Sequence, residues 1–190
     1  MNEQAALFKD KQLGFLIYLF VESVMFATLF ATYIIFTPAP SSPRPIDVFE
    51  AKSVILSSVF LLSSSGTLIF AEKGLNVRES KQNLTGLGIT LLLGLIFLGL
   101  EIHEFYKYVQ EGNGLTVNVF MSAFYVLVGL HAAHVTFGSG WMILLLIQYK
   151  TMKQSYQLYT EKQRIFQYYW HFVDVIWVFI IILVYLPYLL

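Results

Sequence analysis

Five stretches of this chain are each long enough and apolar enough to cross a lipid bilayer, which constrains its fold more than any other feature. A bilayer core of roughly 30 Å takes about 20 apolar residues in helical form. The runs cover residues 13–36, 54–71, 84–105, 117–147 and 165–189. Lipid offers the backbone no hydrogen-bond partners, so an open chain crosses it only as helices. The expected fold is all-α: an integral membrane bundle of five transmembrane helices, forming a single domain over residues 1–190. The fourth run exceeds what one span needs and is expected to tilt or project. The first run is expected to span and stay, because the ten residues before it are polar and too short for a signal core.

Composition narrows the functional classes. Hydrophobic residues make up 57% of the chain and charged residues only 13%, against about 25% charged in a soluble domain. The formal net charge is zero, which gives no electrostatic case for nucleic acid as a partner. There is no cysteine, which excludes disulfides, thiolate metal sites and a cysteine nucleophile.

The connections are short and polar. Residues 37–50 (TPAPSSPRPIDVFE) are too rich in proline to be helical throughout. Residues 72–83, 110–114 and 148–164 form the other three loops, the third a glycine turn and the fourth the longest. Basic residues set the orientation. Lys9, Lys11, Lys73, Arg78, Lys81, Lys150, Lys153, Lys162 and Arg164 fall on one side, and only Arg44, Lys52 and Lys107 on the other. The positive-inside rule puts the first group in the cytoplasm, with the N-terminus inside and the C-terminus outside.

Small residues suggest helix packing. Gly86, Thr90 and Gly94 recur at four-residue spacing, as do Ala132, Thr136 and Gly140, and the second helix is rich in serine. Such stripes let backbones approach closely in lipid. Tyr168, Tyr169 and Trp170 at one end of the fifth helix, and Tyr185 and Tyr188 at the other, fit interfacial aromatic belts.

Ionisable residues inside the spans call for an explanation. Glu22 lies near the middle of the first span, and Glu101 and Glu104 toward one end of the third. His131 and His134 lie deep in the fourth, and His171 and Asp174 in the fifth, with Trp170 and Trp177 flanking them. A carboxylate at the bilayer centre costs about 2.5–3.5 kcal/mol on insertion scales, so it usually faces the bundle interior, paired or protonated. His131 and His134 are three apart and share a helix face. They read either as a metal or haem pair, with His171 as a partner from another helix, or as an interhelical hydrogen-bonded contact. Two histidines do not complete a zinc or copper site. His171 and Asp174 suggest a Ser-His-Asp hydrolase only weakly, because no serine stands in a G-x-S-x-G turn. Glu22 reads equally as a proton-relay residue and as a neutral structural donor.

These residues also carry a family resemblance. QYYWHFVDVIWVF (167–179) closely resembles the last helix of subunit III of haem-copper terminal oxidases. SAFYVLVGLHAAHVTFGSGWM (122–142) resembles the preceding helix, with its pattern G-x-H-G-x-H-V-x-x-G; the glycine after the first histidine is Ala132 here. FLGLEIHEFYKY (97–108) is similar to the family segment ending in Glu-Tyr or Glu-Phe. VESVMFATLFATY (21–33) resembles the helix bearing the family's carbodiimide-reactive glutamate, which falls at Glu22.

The resemblance implies a non-catalytic subunit in the bacterial plasma membrane, of the short five-helix form. Its complex would be a proton-pumping oxidase that reduces O₂ to water. This chain would hold no haem, copper or other cofactor of its own; those belong to partner subunits. It would stabilise subunit I, touch other oxidase subunits, bind phospholipid in a cleft and support proton uptake. The residues carried over by position are Glu22, Glu104, His131, His134, His171, Asp174 and Trp177, while Glu101 enters from its buried placement alone. The donor is open between cytochrome c and quinol, with a lean to cytochrome c. Rival readings are a subunit-III-like accessory of a nitric oxide reductase, an independent haem-binding membrane cytochrome and a small proton-coupled transporter.

Overall fold

The computed structural model describes residues 3–36, 51–151 and 156–189. The proline-rich connection 37–50, with Arg44, lies outside the described residues, as does 152–155. Five long helices account for nearly everything else: α1 Glu3–Ile35, α2 Ala51–Asn76, α3 Ser80–Gln110, α4 Val119–Thr151 and α5 Tyr156–Ile180. The last continues through a π-helical turn, Ile181–Tyr185, into a final turn, Leu186–Leu189. Each of the five is long and apolar enough to cross a membrane.

The helices overrun the apolar runs at their polar ends. A helix needs apolar side chains only within the bilayer core, and beyond it charged residues extend the same backbone. The second expected loop therefore shrinks to a turn at residues 77–79, and most of the fourth is helical. For the same reason the length of the fourth helix is not distinctive: α1 and α4 both have 33 residues. The third loop is a turn as expected, with Gly112 at φ 82°. It continues to Asn118, whose Oδ1 accepts the Met121 amide at 2.7 Å and caps α4.

Helices α2 and α3 form a tight antiparallel hairpin. A methyl on Gly86 would lie 2.7 Å from the backbone nitrogen of Ala71, so only glycine permits this approach. The expected stripe Gly86–Thr90–Gly94 is buried here, and the Thr90 hydroxyl lies 2.8 Å from that of Thr67 on α2. The second stripe behaves differently. Thr136 and Gly140 are exposed, and α4 instead turns Gly138 and Ser139 inward.

The centre of the bundle is Trp170 of α5, which is fully buried. Its ring slots between α3 and α4. A methyl on Gly94 would lie 2.9 Å from Cη2, and one on Gly138 would lie 2.7 Å from Cζ3. Its indole N–H donates to Ser64 Oγ on α2 at 2.9 Å. Trp170, Tyr169 and Tyr185 are thus core residues and not interfacial belts, while Tyr168 remains exposed. Helix α1 is the most peripheral, with 17% of its apolar window buried within the chain against 50% for α5.

Candidate functional site

The buried polar residues form three separate groups, each built where particular helices cross. The first joins α1 to α4. Glu22 Oε2 lies 3.3 Å from His134 Nε2. The other ring nitrogen, Nδ1, lies 2.9 Å from the Leu130 carbonyl one turn back. A carbonyl only accepts, so Nδ1 carries a proton and donates it. Nε2 is then protonated only in the imidazolium. The free Nε2 of His134 therefore faces the Glu22 carboxyl, close enough for one proton to bridge the two groups. Tyr18 stands one turn before Glu22 on α1. Tyr169 donates to the His134 carbonyl at 2.9 Å, and Phe26 packs its edge on the imidazole.

The second group joins α2 to α5. Ser58 Oγ accepts the Trp177 indole N–H at 3.2 Å, and Ser64 accepts that of Trp170. Ser65 donates to Asp174 Oδ2 and lies 3.1 Å from His171 Nδ1. The single hydroxyl proton goes to Asp174, so His171 donates to the serine oxygen. A hydrolase needs the reverse, a histidine accepting from the serine. Ser65, His171 and Asp174 thus form an interhelical clasp. The serines of α2, expected only to permit close packing, are the acceptors of a hydrogen-bond ladder.

The third group lies toward the opposite end. His131 is fully buried and stacks on Trp177, with centroids 5.1 Å apart, while Phe97 meets both rings edge-on. One turn beyond Phe97, Glu101 and Glu104 are 1% and 4% exposed. Neither carboxyl oxygen of Glu101 has a hydrogen-bond partner among the described residues, and the Ser57 hydroxyl donates to the Val54 carbonyl at 3.1 Å. Tyr185, brought in by the π-helical turn, lies within electrostatic reach of Glu101, Glu104, Tyr108 and Tyr33. Single π turns inside α-helices often mark functional positions. Tyr33 of α1 donates to the Val184 carbonyl in that turn at 3.4 Å.

The three inward histidines therefore have three different sets of neighbours. His131 and His134, although one turn apart, face α5 and α1 respectively. Among the described residues no group of three His, Asp or Glu side chains converges as a metal site would require. The fourth histidine, His103, is exposed on α3. Sequence reasoning missed one buried pair altogether. Asn83 of α3 and Gln163 of α5 exchange two amide hydrogen bonds, at 3.1 and 2.7 Å. Both residues fall in segments expected to be loops.

The sequence comparisons agree with this architecture. A family model described as cytochrome c oxidase subunit III matches residues 2–188. The chain is 43% identical to cytochrome c oxidase subunit 3 of Bacillus sp. (strain PS3) over 180 residues, covering 94% of this chain and 86% of the relative. It is also 43% identical to the protein of the same name from Bacillus subtilis, again over 94% and 86% of the two chains. It is 42% identical to quinol oxidase subunit 3 of Bacillus spizizenii, over 92% of this chain and 85% of the relative.

Proposed function

The chain belongs to the cytochrome c oxidase subunit III family, as a multi-pass membrane subunit of a haem-copper oxidase complex, and on that premise we propose that it is the structural and proton-handling partner of subunit I. The complex is an oxidoreductase; the haems and copper, and with them the reduction of O₂, belong to the neighbouring subunits. This chain supplies no active site of its own. Its Glu101, Glu104, His131, His171, Asp174 and Trp177 hold helices together. The donor, cytochrome c or quinol, docks on other subunits, and similarity to relatives of both names does not separate the two.

The observation that carries the proton-handling part is the Glu22–His134 contact. It is the one place in the described residues where a half-buried carboxyl and an imidazole face each other across two helices. Glu22 of the pair sits on α1, the least embedded helix, where a partner subunit or lipid can reach it. Phospholipid fills the apolar groove between α1 and α5, lined by Phe26, Ala27, Phe30, Phe172 and Phe179 among others, with a volume of about 530 Å³. The end of the bundle bearing Lys9, Arg78 and Arg164 faces the cytoplasm.

Affinity purification of the tagged chain from its native membrane tests the assignment. The expected result is co-purification with haem- and copper-containing subunits in equal stoichiometry. Recovery of the chain alone under conditions that keep other oxidases intact would sink it.

A further inference from the structure

The basic end of the bundle holds a polar pocket of about 560 Å³ that none of the three polar groups uses. Three parts of the chain build it: the start of α1, the α2–α3 turn and the first turns of α5. Each contributes a cation, respectively Lys9, Arg78 and Arg164, against a single carboxylate, Glu161. Among the described residues none of these three cations is in an ion pair. We propose that this pocket docks an acidic segment of a neighbouring oxidase subunit, with a side-chain carboxylate of that segment held between the two arginines. The inference rests on the chain being a subunit of the complex and stands whether or not Glu22 handles protons.

The donors suit a carboxylate carried on a peptide. The Arg78 guanidinium lies 5.2 Å from the Tyr156 ring centroid, a contact that engages its face and leaves its edge free. Arg164 gives one N–H to Asn76 Oδ1 at 3.3 Å and keeps others to spare. A guanidinium edge is a fork of donors matched to the two oxygens of a carboxylate. Arg78 also has φ 59°, the only positive φ outside glycine among the described residues. It stands just past the end of α2, where glycine is usual because an L side chain is strained there. Stacking on Tyr156 at an exposed site is worth less than that strain, so arginine is favoured there by what its free edge binds. The side-chain amides of Gln12, Asn76 and Gln157 also line the pocket, and amides both donate to and accept from a peptide backbone.

The place of the pocket favours a protein segment that arrives from water. Phe8, Asn76 and Tyr156 mark the ends of three membrane spans, so the pocket lies at the membrane surface. Gln12 Nε2 donates to the Tyr168 hydroxyl at 2.9 Å, joining α1 to α5 about one turn deeper than Lys9 and Arg164. The apolar groove between α1 and α5 begins only at Ser23, about 16 Å further along α1. The tails of a lipid with its headgroup in the pocket would have to pass the Gln12–Tyr168 bond to reach that groove. Three cations against one carboxylate also make the attraction to an acidic partner long-ranged and sensitive to salt.

The test uses the purified oxidase complex. A water-soluble carbodiimide joins a lysine amine to a carboxylate held against it, and mass spectrometry identifies the crosslinked peptides. The expected product couples Lys9 to an aspartate or glutamate of another subunit, with a yield that falls as salt is raised. R78Q/R164Q is expected to lower that yield by about tenfold or more, while crosslinks of the exposed Lys81, outside the pocket, stay unchanged. If R78Q/R164Q does not assemble, the wild-type crosslink and its salt dependence decide. The proposal is overturned if Lys9 gives no crosslink to another subunit, or if its crosslink is insensitive to R78Q/R164Q and to salt. It is equally overturned if native mass spectrometry finds a phospholipid that the wild type retains and R78Q/R164Q loses. A chain that purifies without partner subunits refutes the subunit reading together with this inference; an intact complex without the Lys9 crosslink refutes this inference alone.

Discussion

Glu22 shows what one half-buried carboxyl can do when its partner is fixed. His134 is oriented by the Leu130 carbonyl, so its free nitrogen faces the carboxyl at 3.3 Å. Replacing Glu22 with glutamine keeps a hydrogen-bonding side chain and removes the exchangeable proton. Glu22→Gln is expected to leave assembly intact and to slow proton uptake by the complex, measured by a pH-indicator dye during turnover. Loss of assembly would make the residue structural and the proton role wrong. Trp170 is a different case. Its ring fills a slot between two glycines and its N–H is satisfied by Ser64. Trp170→Ala should destabilise the subunit by about 3 kcal/mol or more, seen as a lowered midpoint in detergent denaturation. Ser64→Ala, which only strands the indole N–H, should cost about 0.6–1.7 kcal/mol.

At the scale of helices, the spans were legible because lipid imposes a length and a composition that nothing else imitates. Helix ends were less so, because hydropathy falls at the membrane surface while the helix continues. That is why Asn83 and Gln163, both in polar stretches, read as loop residues although they form a buried amide pair. Helix neighbours left even less trace. The carboxylate on α1 and the histidine on α4 are 112 positions apart, and no periodicity says that these two helices touch. The serines of α2 were visible, but their role as acceptors for α5 indoles depends on a crossing that one helix does not encode. The small-residue stripes were half informative, and a pair of substitutions separates them. Gly86→Ala should cost about 1–3 kcal/mol, because the new methyl meets Ala71 backbone that cannot yield. Gly140→Ala, with nothing within 4 Å, should leave the stability of the chain unchanged. Denaturation midpoints of the two variants check both outcomes.

For the molecule as a whole, polar side chains inside the membrane meet across its own helices, fastening α1 to α4 and α2 to α5, while the carboxyl oxygens of Glu101 and the ring nitrogens of His131 have no hydrogen-bond partner among the described residues. The resemblance places the chemistry in a neighbouring subunit, and in this chain His131, His134 and His171 point to different partners. The most direct measurement is the haem and copper content of the purified complex before and after this chain is selectively stripped. The account predicts that haem and copper per remaining complex are unchanged and that the released chain has no Soret band. Loss of haem or copper in step with the chain, or a Soret band travelling with it, would contradict the account.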